Sequence, residues 1–110
     1  MCFRFFVNMK IAVLFEKDKL SNFGSENSKI LIFEIENNFV VGAETIDPGK
    51  ELNADRLFIL KKKQVDEIYL SAINDELKEK ISLLRMRVKT SDMLVNDKLF
   101  NSLYISGYML

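Results

Sequence analysis

The chain has 110 residues, with 16 Lys plus Arg against 16 Asp plus Glu, and its formal net charge is zero. A neutral chain of this length fits one domain and has no long-range attraction to phosphate, so we do not expect it to bind nucleic acid. The complete absence of histidine excludes Ser-His and Cys-His nucleophilic pairs and most zinc sites.

The first segment, residues 1–8, is interpreted as an N-terminal extension, because Met9-Lys10 is typical of a natural start. Arg4 interrupts its apolar run and no small-residue cleavage site follows, which argues against a signal peptide. No stretch reaches the roughly 20 apolar residues of a membrane span, so we expect no membrane association. The single cysteine, Cys2, excludes an intramolecular disulfide and is compatible with a reducing compartment, and we predict a cytoplasmic location.

Three strands are predicted in the first half of the chain. The short apolar run of residues 10–16, ended by charge, is typical of a buried strand. Residues 29–36 and 39–46 are predicted to form a hairpin around Asn37-Asn38, because asparagine tolerates the positive φ that a two-residue type I′ turn requires.

The hairpin turn fixes which residues we expect to face each other. Glu36 is predicted beside Phe39, and Ile32 opposite Ala43. Gly42 lies in the middle of the third strand and marks a bulge or a close backbone approach. Both hairpin faces are largely apolar, so we expect helices over both. One face carries Leu31, Phe33, Ile35 and Val40, and the other carries Ile30, Ile32, Phe39 and Val41.

The second half alternates helices with short strands. Helices are predicted over residues 50–63, 73–84 and 90–106, and strands over 66–72 and 85–88. The order β-loop-ββ-α-β-α-β-α indicates a single α/β domain with a five-stranded mixed sheet and helices on both faces. The helical stripes are Ala54, Leu57, Phe58 and Leu60; Leu77, Ile81 and Leu84; and Val95, Leu99 and Leu103.

This order resembles the dinitrogenase iron–molybdenum cofactor-binding family. The likeness rests on "MKIAV" in the first strand, "FG" in the first loop and the hairpin "ILIFEIENNFVV", and extends through "VDEIYL" (65–70) and "LRMRV" (84–88). It implies a single domain over residues 9–106 with a ribonuclease H-like motif fold. It also implies a non-enzymatic carrier of an iron–molybdenum or related metal–sulfur cluster. The chain has Asn22 where the family has histidine, and "SAIN" (71–74) where the family has a glycine-rich turn.

The candidate binding site combines the loop of residues 16–29 with two predicted helix starts at one end of the sheet. Loops at such an end bind ligands, and backbone N–H groups at helix starts attract anions. Hydroxyl and amide side chains there could hydrogen-bond the sulfides of a cluster. The plainer alternative is that Phe23 fills the core edge and the helix starts are simple capped turns. The predicted cofactor-binding residues are Ser21, Asn22, Phe23, Gly24, Ser25, Ser71, Asn74 and Thr90.

Two other functions are compatible with this order of elements. A divergent member of the family without a cluster would act as a protein-interaction or structural module, and the absence of histidine and of cluster-ligating cysteine favours it. A ribonuclease H-like nuclease needs several acids gathered at strand ends around magnesium ions. The acids available are Glu16, Asp18, Glu34 and Asp66, and they do not converge, because Asp66 begins its strand whereas Glu16 ends one. We therefore expect no enzyme. The oligomeric state does not follow from the sequence.

Overall fold

The computed structural model describes residues 9–17, 19–23, 28–37, 39–47, 53–98 and 100–101. The predicted extension 1–8 and the predicted site residues Gly24 and Ser25 lie outside this described part, as do Leu99 and Leu103 of the predicted helical stripe. Within it the strands are β1 (Met9–Glu16), β2 (Lys19–Leu20), β3 (Lys29–Glu36), β4 (Phe39–Ile46), β5 (Glu67–Tyr69) and β6 (Arg87–Lys89). The helices are α1 (Asn53–Lys62), α2 (Asp75–Leu83) and α3 (Ser91–Leu94).

The strands form one mixed sheet of order β4-β3-β1-β5-β6, with β2 paired to β1. The predicted α/β class and mixed sheet are confirmed, although the sheet has six strands instead of five. The additional strand, β2, folds back on the end of β1, where Phe15 pairs with Leu20. Since β1, β5 and β6 are parallel, their carboxyl ends lie at the same end of the sheet.

The hairpin bounds and its turn match the sequence, because Glu36 pairs with Phe39 and Asn37 has a φ of 52°. The predicted pairing of Ile32 with Ala43 is wrong, since Ile32 pairs with Glu44. The register shifts by one residue between Glu34 and Ile35, next to Gly42, and this confirms the bulge predicted there.

Two buried clusters hold the sheet between its helices. One lies under α1 and α2, and the other contains Leu94 of α3, so both faces are covered as predicted. The first cluster comprises Ala12, Leu14, Phe23, Ile30, Ile32, Leu57, Leu60, Val65, Ile68, Leu70, Leu77, Ile81 and Met86. The second comprises Ile11, Val13, Leu31, Phe33, Ile35, Tyr69 and Leu94.

Four predicted core positions are wrong. Phe39 and Val41 are exposed, because β4 is the edge strand. Phe58 is also exposed, since α1 is rotated so that Arg56 is buried instead. Val95 is exposed because α3 ends at Leu94 after a single turn, so the predicted helix 90–106 is interrupted before helical structure resumes at Lys98, and residues 102–106 lie outside the described part.

The end of α3 has a local cause in Asp97. Its carboxylate accepts a hydrogen bond from the Phe100 backbone N–H at 2.9 Å, which is the contact of an N-cap and begins a new turn. The strand predicted over 10–16 is β1, which begins one residue earlier, and the helices predicted over 50–63 and 73–84 are α1 and α2. The strands predicted over 66–72 and 85–88 are the three-residue strands β5 and β6. No helix in the described ranges is long and apolar enough to cross a membrane.

Candidate functional site

The end of the sheet at which the carboxyl ends of β1, β5 and β6 lie carries most of the predicted site residues. We call this surface the crest and define it as Ser21, Asn22, Phe23, Ser71, Asn74 and Thr90. The short strand β2 returns the chain toward the sheet, and the Ser21 N–H then donates to the Leu14 carbonyl at 2.9 Å. This return places the first half of the crest beside the end of β5.

Asn22 and Ser71 meet directly on the crest. The Ser71 hydroxyl donates to Asn22 Oδ1 at 2.7 Å, and the Ser71 N–H donates to the Ser21 carbonyl at 3.0 Å. On its other side the Ser71 carbonyl accepts from the Ser91 N–H at 3.4 Å. The structure therefore brings Ser71 next to Ser21 and Asn22, although Ser71 and Asn22 are 49 positions apart in the sequence.

Asn74 and Thr90 belong to helix starts and differ in what their side chains do. Asn74 Oδ1 accepts from the Leu77 N–H at 2.8 Å, so Asn74 is the N-cap of α2. Thr90 occupies the N-cap position of α3, but its side chain makes no capping hydrogen bond. The amide oxygen of Asn74 is thus occupied by the capping hydrogen bond, whereas the Thr90 hydroxyl makes no such bond.

Phe23 lies in the core and is the last described residue before the loop. Its ring is 2% exposed and packs in the first cluster, while its carbonyl accepts from Arg56 Nη1 at 2.8 Å. The same guanidinium nitrogen donates to the hydroxyl of Ser28 at 3.0 Å, where the chain enters β3. Arg56 therefore holds the residues at both ends of the loop, and the sequence analysis did not predict this role. The one feature of the sequence that indicates burial of Arg56 is its position four residues before Leu60, on the same side of α1.

One crest hydroxyl is left unsatisfied in the described part of the chain. Ser21 is 6% exposed, and its Oγ has no hydrogen-bond partner. A buried polar group without a partner costs about 1–3 kcal/mol, and it is a feature that calls for a functional explanation. Ser21 directly precedes the exposed Asn22 in the sequence.

The charges around the crest do not favour an anion. Asp75 and Glu76 occupy the first turn of α2, where their carboxylates offset the positive end of the helix dipole. Lys89, which could have added positive charge, is turned toward Glu67 on β5 and Asp97, which follows α3. Its Nζ lies 2.8 Å from Asp97 Oδ2 and 3.5 Å from Glu67 Oε2. The hydrogen bond that Lys89 Nζ donates to the Asp97 carboxylate raises the pKa of Lys89 above its ordinary value.

The acids around Lys89 form a cluster that the sequence did not suggest. Glu67 is buried on β5, and Arg87 Nη2 contacts its other oxygen at 3.0 Å. Tyr69, two residues along the same strand, is fully buried, and its hydroxyl has no hydrogen-bond partner in the described ranges. Burial, and then the charge of Glu67, raise the pKa of Tyr69 well above its ordinary value.

The crest side chains do not fit a metal–sulfur cluster that is ligated by the protein. The chain has no histidine, and its one cysteine, Cys2, lies outside the described residues. Within the described ranges, no three or more Asp, Glu, Cys or His residues are grouped so that they could hold a metal ion. What the crest offers instead is a set of hydroxyl and amide groups, which donate and accept hydrogen bonds but are not soft ligands.

The acids considered for a nuclease lie at opposite ends of the sheet. Asp66 Oδ2 accepts from the Lys10 N–H at 2.9 Å, beside the amino end of β1, and Glu34 pairs with Lys10 across the sheet. Glu16 is the last residue of β1, at the crest end. Asp18 lies outside the described residues.

Solved structures with the same fold cover nine-tenths or more of the chain. The NMR structure of a "putative dinitrogenase (MJ0327)" from Methanococcus jannaschii is 27% identical, covers 94% of this chain and 92% of its own, and has a TM-score of 0.64. A crystal structure under the same name, from Methanocaldococcus jannaschii, is 23% identical, with coverage of 94% on both sides and a TM-score of 0.63. The crystal structure of PH0822 is 20% identical, with 90% coverage on both sides and a TM-score of 0.67.

These likenesses confirm the predicted resemblance at the level of the fold, which is dinitrogenase-like. They do not test cofactor binding, which stays a prediction. No protein-family model and no curated protein sequence matches the chain.

Proposed function

We propose that this chain is a non-enzymatic binding protein of the dinitrogenase-like fold that binds a protein partner through the crest. The observation that carries this proposal is the chemistry of the crest, where Asn22, Ser71, Asn74 and Thr90 offer only neutral hydroxyl and amide groups. Small polar side chains of this kind supply adaptable hydrogen bonds at protein interfaces. The rigid sheet end beneath them fixes their positions.

One feature of the crest supports recognition by hydrogen bonding. The exposed Asn22 uses its amide oxygen to accept from Ser71, which leaves its NH₂ group as a donor for a partner. Asn22 lies within a short stretch that Arg56 and the end of β5 hold in place.

An enzymatic role has less support. General acid–base catalysis requires a titratable group placed beside the reacting atoms, and the crest side chains Ser21, Asn22, Ser71 and Thr90 supply none. The nearest basic residue of the β6 end, Lys89, is paired with Asp97 and Glu67.

A second candidate is a carrier that holds an anionic metal–sulfur cluster through hydrogen bonds alone. The 27% identity to the Methanococcus jannaschii protein, over nearly the whole chain, favours it. Donors such as Asn22 would then contact cluster sulfides. The acids Asp75 and Glu76 at the start of α2 oppose it, because they repel an anion there.

Photo-crosslinking tests the leading proposal. A benzophenone amino acid placed at Ala72, the exposed neighbour of Ser71, leaves the crest side chains in place and is expected to yield a discrete protein adduct when the full chain is expressed in its source cells. The same amino acid at Lys62, which is exposed at the last residue of α1, is the matched control and is expected to yield no such adduct. Equal adducts from both positions, or none from Ala72, would contradict the proposal.

A further inference from the structure

The edge strand β6 forms the floor of a groove between two helices. β5 pairs with one side of β6, and no described strand pairs with the other side. The groove lies along this open side, between α2 on one face of the sheet and α3 on the other, and has a volume of about 340 Å³. Ligand sites begin at roughly 300 Å³, so side chains of a bound segment fit there. We call it the β6 groove, and its lining includes Lys78, Met86, Arg87, Val88, Lys89 and Met93.

The backbone of Val88 is directed into this groove. The Arg87 N–H donates to the Asp66 carbonyl at 2.9 Å, and the Lys89 carbonyl accepts from the Leu70 N–H at 3.1 Å. Because successive residues of a strand direct their backbone groups to alternate sides, the N–H and C=O of Val88 point away from β5. These two groups offer one donor and one acceptor to a further strand laid along the edge.

The charge that the β6 groove presents to a partner is positive, because none of the described residues that line it is acidic. The carboxylate that contacts Arg87 belongs to Glu67, whose side chain is only 4% exposed, whereas the Arg87 side chain is 72% exposed. Asp97, which holds Lys89, is likewise mostly buried. Lys78 is exposed on α2 and has no salt bridge among the described residues.

We propose that the β6 groove binds an extended segment of a partner protein, which adds a strand antiparallel to β6 and carries an apolar side chain between two acidic ones. Residues directly opposite each other in paired strands have their side chains on the same face. An apolar residue opposite Val88 therefore lies on the face of Met86, and its two neighbours lie on the face of Arg87 and Lys89. Acidic neighbours complement these cations.

The antiparallel direction follows from the length of the open edge. In an antiparallel hydrogen-bonded pair, one residue of each strand exchanges both backbone bonds, so a single outward residue, Val88, is sufficient. Three residues at roughly 3.3 Å each span only about 10 Å, so we expect a weak and transient contact.

The cations of β6 also determine which strands are excluded. Charged side chains on a short edge strand oppose pairing with a strand of like charge and admit one of opposite charge. Two copies of this chain paired antiparallel at Val88 would place Arg87 of one copy opposite Lys89 of the other, which is destabilising. The charge pattern therefore favours an acidic partner over a second copy.

The β6 groove goes beyond the proposed function, since it shares no residue with the crest, although Lys89 directly precedes Thr90. Failure of a peptide to bind the groove would leave the expected crosslink at Ala72 untouched. The two proposals can therefore fail separately.

NMR titration of the isotope-labelled chain with a short synthetic peptide, at physiological salt, tests the proposal. The probe carries Glu-Val-Glu between Gly and Ser residues, and the charge-reversed control carries Lys-Val-Lys. We expect the acidic peptide to shift the resonances of the β6 groove with a dissociation constant below about 1 mM, and the control not to bind. No binding of the acidic peptide in this range, or equal binding of both peptides, would overturn the proposal.

N-methylation of the peptide separates strand addition from charge attraction alone. Methylating the nitrogen of the central valine removes its hydrogen bond to Val88 and is expected to raise the dissociation constant about tenfold. The nitrogen of a neighbouring glutamate points away from β6, so methylating it is the matched control and should have little effect. Equal effects of the two methyl groups would contradict strand addition.

Substitutions in the chain locate the bound peptide. Lys78→Glu and Met93→Glu are each expected to raise the dissociation constant at least about fivefold, because the new carboxylate repels the acidic peptide. The matched controls are Lys80→Glu on the same helix and Val95→Glu just after α3, both exposed and outside the groove, and they should leave binding unchanged. Controls that weaken binding equally would place the peptide elsewhere and refute the site.

Hydrogen exchange of the Val88 N–H shows whether the edge is open before the peptide binds. We expect fast exchange in the free chain and slower exchange with the acidic peptide. Protection in the free chain at every concentration would mean that its own residues cover the edge. Protection that grows with concentration would mean that a second copy does, and either result would overturn the proposal.

Discussion

The Ser71 hydroxyl donates a hydrogen bond to Asn22 Oδ1 over 2.7 Å, and this contact joins two residues that are 49 positions apart. It ties the loop after β1 to the end of β5, at the edge where three parallel strands end. Because the contact is between neutral side chains, it can reform with groups of a partner at little cost. The crest is therefore ordered by its own hydrogen bonds before any partner binds.

Removing this contact should weaken the fold only slightly. Ser71→Ala is expected to lower the free energy of unfolding by about 0.5–1.5 kcal/mol, since the backbone bonds of Ser71 remain. Urea denaturation measures the change. Ser82→Ala, on the exposed side of α2, is the control and should change the midpoint little. A loss as small for Ser71 as for Ser82 would show that the contact contributes nothing in solution.

Arg56 should matter much more. Arg56→Met keeps most of the side-chain volume but leaves the Phe23 carbonyl and the Ser28 hydroxyl without their buried donor. We expect a loss of about 2–4 kcal/mol in the free energy of unfolding. Lys62→Met, at an exposed position of the same helix, should change it by less than about 0.5 kcal/mol. Equal effects of the two substitutions in urea denaturation would contradict the role assigned to Arg56.

The two helix starts offer an internal comparison. Asn74 caps α2 through its side chain, so Asn74→Ala is expected to cost about 1 kcal/mol, and Asn74→Asp should retain most of the stability. Thr90 makes no capping bond, and Thr90→Ala should cost less than about 0.5 kcal/mol. Thermal denaturation followed by circular dichroism distinguishes these outcomes. A larger loss at Thr90 than at Asn74 would refute the assignment.

Alkaline pH should destabilise the chain through Tyr69. Burial raises the pKa of its hydroxyl, so the folded state keeps a proton that the unfolded chain releases near pH 10. The resulting stabilisation is complete below the pKa of tyrosine in the unfolded chain, and it is lost as the pH rises toward the pKa of Tyr69 in the folded chain. The pKa of Lys89 is also raised, so its contribution to the free energy of unfolding is likewise lost as the pH rises. We expect the melting temperature to fall as the pH is raised from about 9 to about 11.

Tyr69→Phe isolates the tyrosine part of that fall. The variant should show a shallower decline above about pH 10, with the remaining slope due to Lys89 and other groups. At neutral pH it should be as stable as the parent or more stable, because the hydroxyl that it lacks has no hydrogen-bond partner among the described residues. A parallel decline in both proteins would mean that Tyr69 ionises as readily when folded as when unfolded.

Local chemistry explains which parts of the fold were predictable. The strands at 29–36 and 39–46 have their predicted bounds, because apolar runs and an Asn-Asn turn determine a hairpin within a few residues. β2 has only two residues and carries no periodic signal. Phe58 was misplaced because tertiary contacts of Arg56 set the rotation of α1, and a helical stripe alone does not reveal them.

The candidate site was predictable in location and not in detail. The rule that strand ends gather at one edge identifies Asn22 and Ser71 as neighbours in space. It does not predict that Arg56 holds the loop, because its contacts with the Phe23 carbonyl and the Ser28 hydroxyl leave no recognisable pattern in the sequence. The direction of Lys89 also depends on Asp97, which follows a helix that ends earlier than its pattern suggests.

Metal content after anaerobic purification tests the central claim most directly. The full chain would be purified from cells supplied with iron and molybdenum, and examined by elemental analysis and visible absorption. Because the crest offers hydroxyl and amide groups in place of thiolate or imidazole, we predict a colourless protein with iron and molybdenum far below one atom per chain. Near-stoichiometric molybdenum or iron, with a sulfide charge-transfer band, would contradict the account and establish the carrier instead.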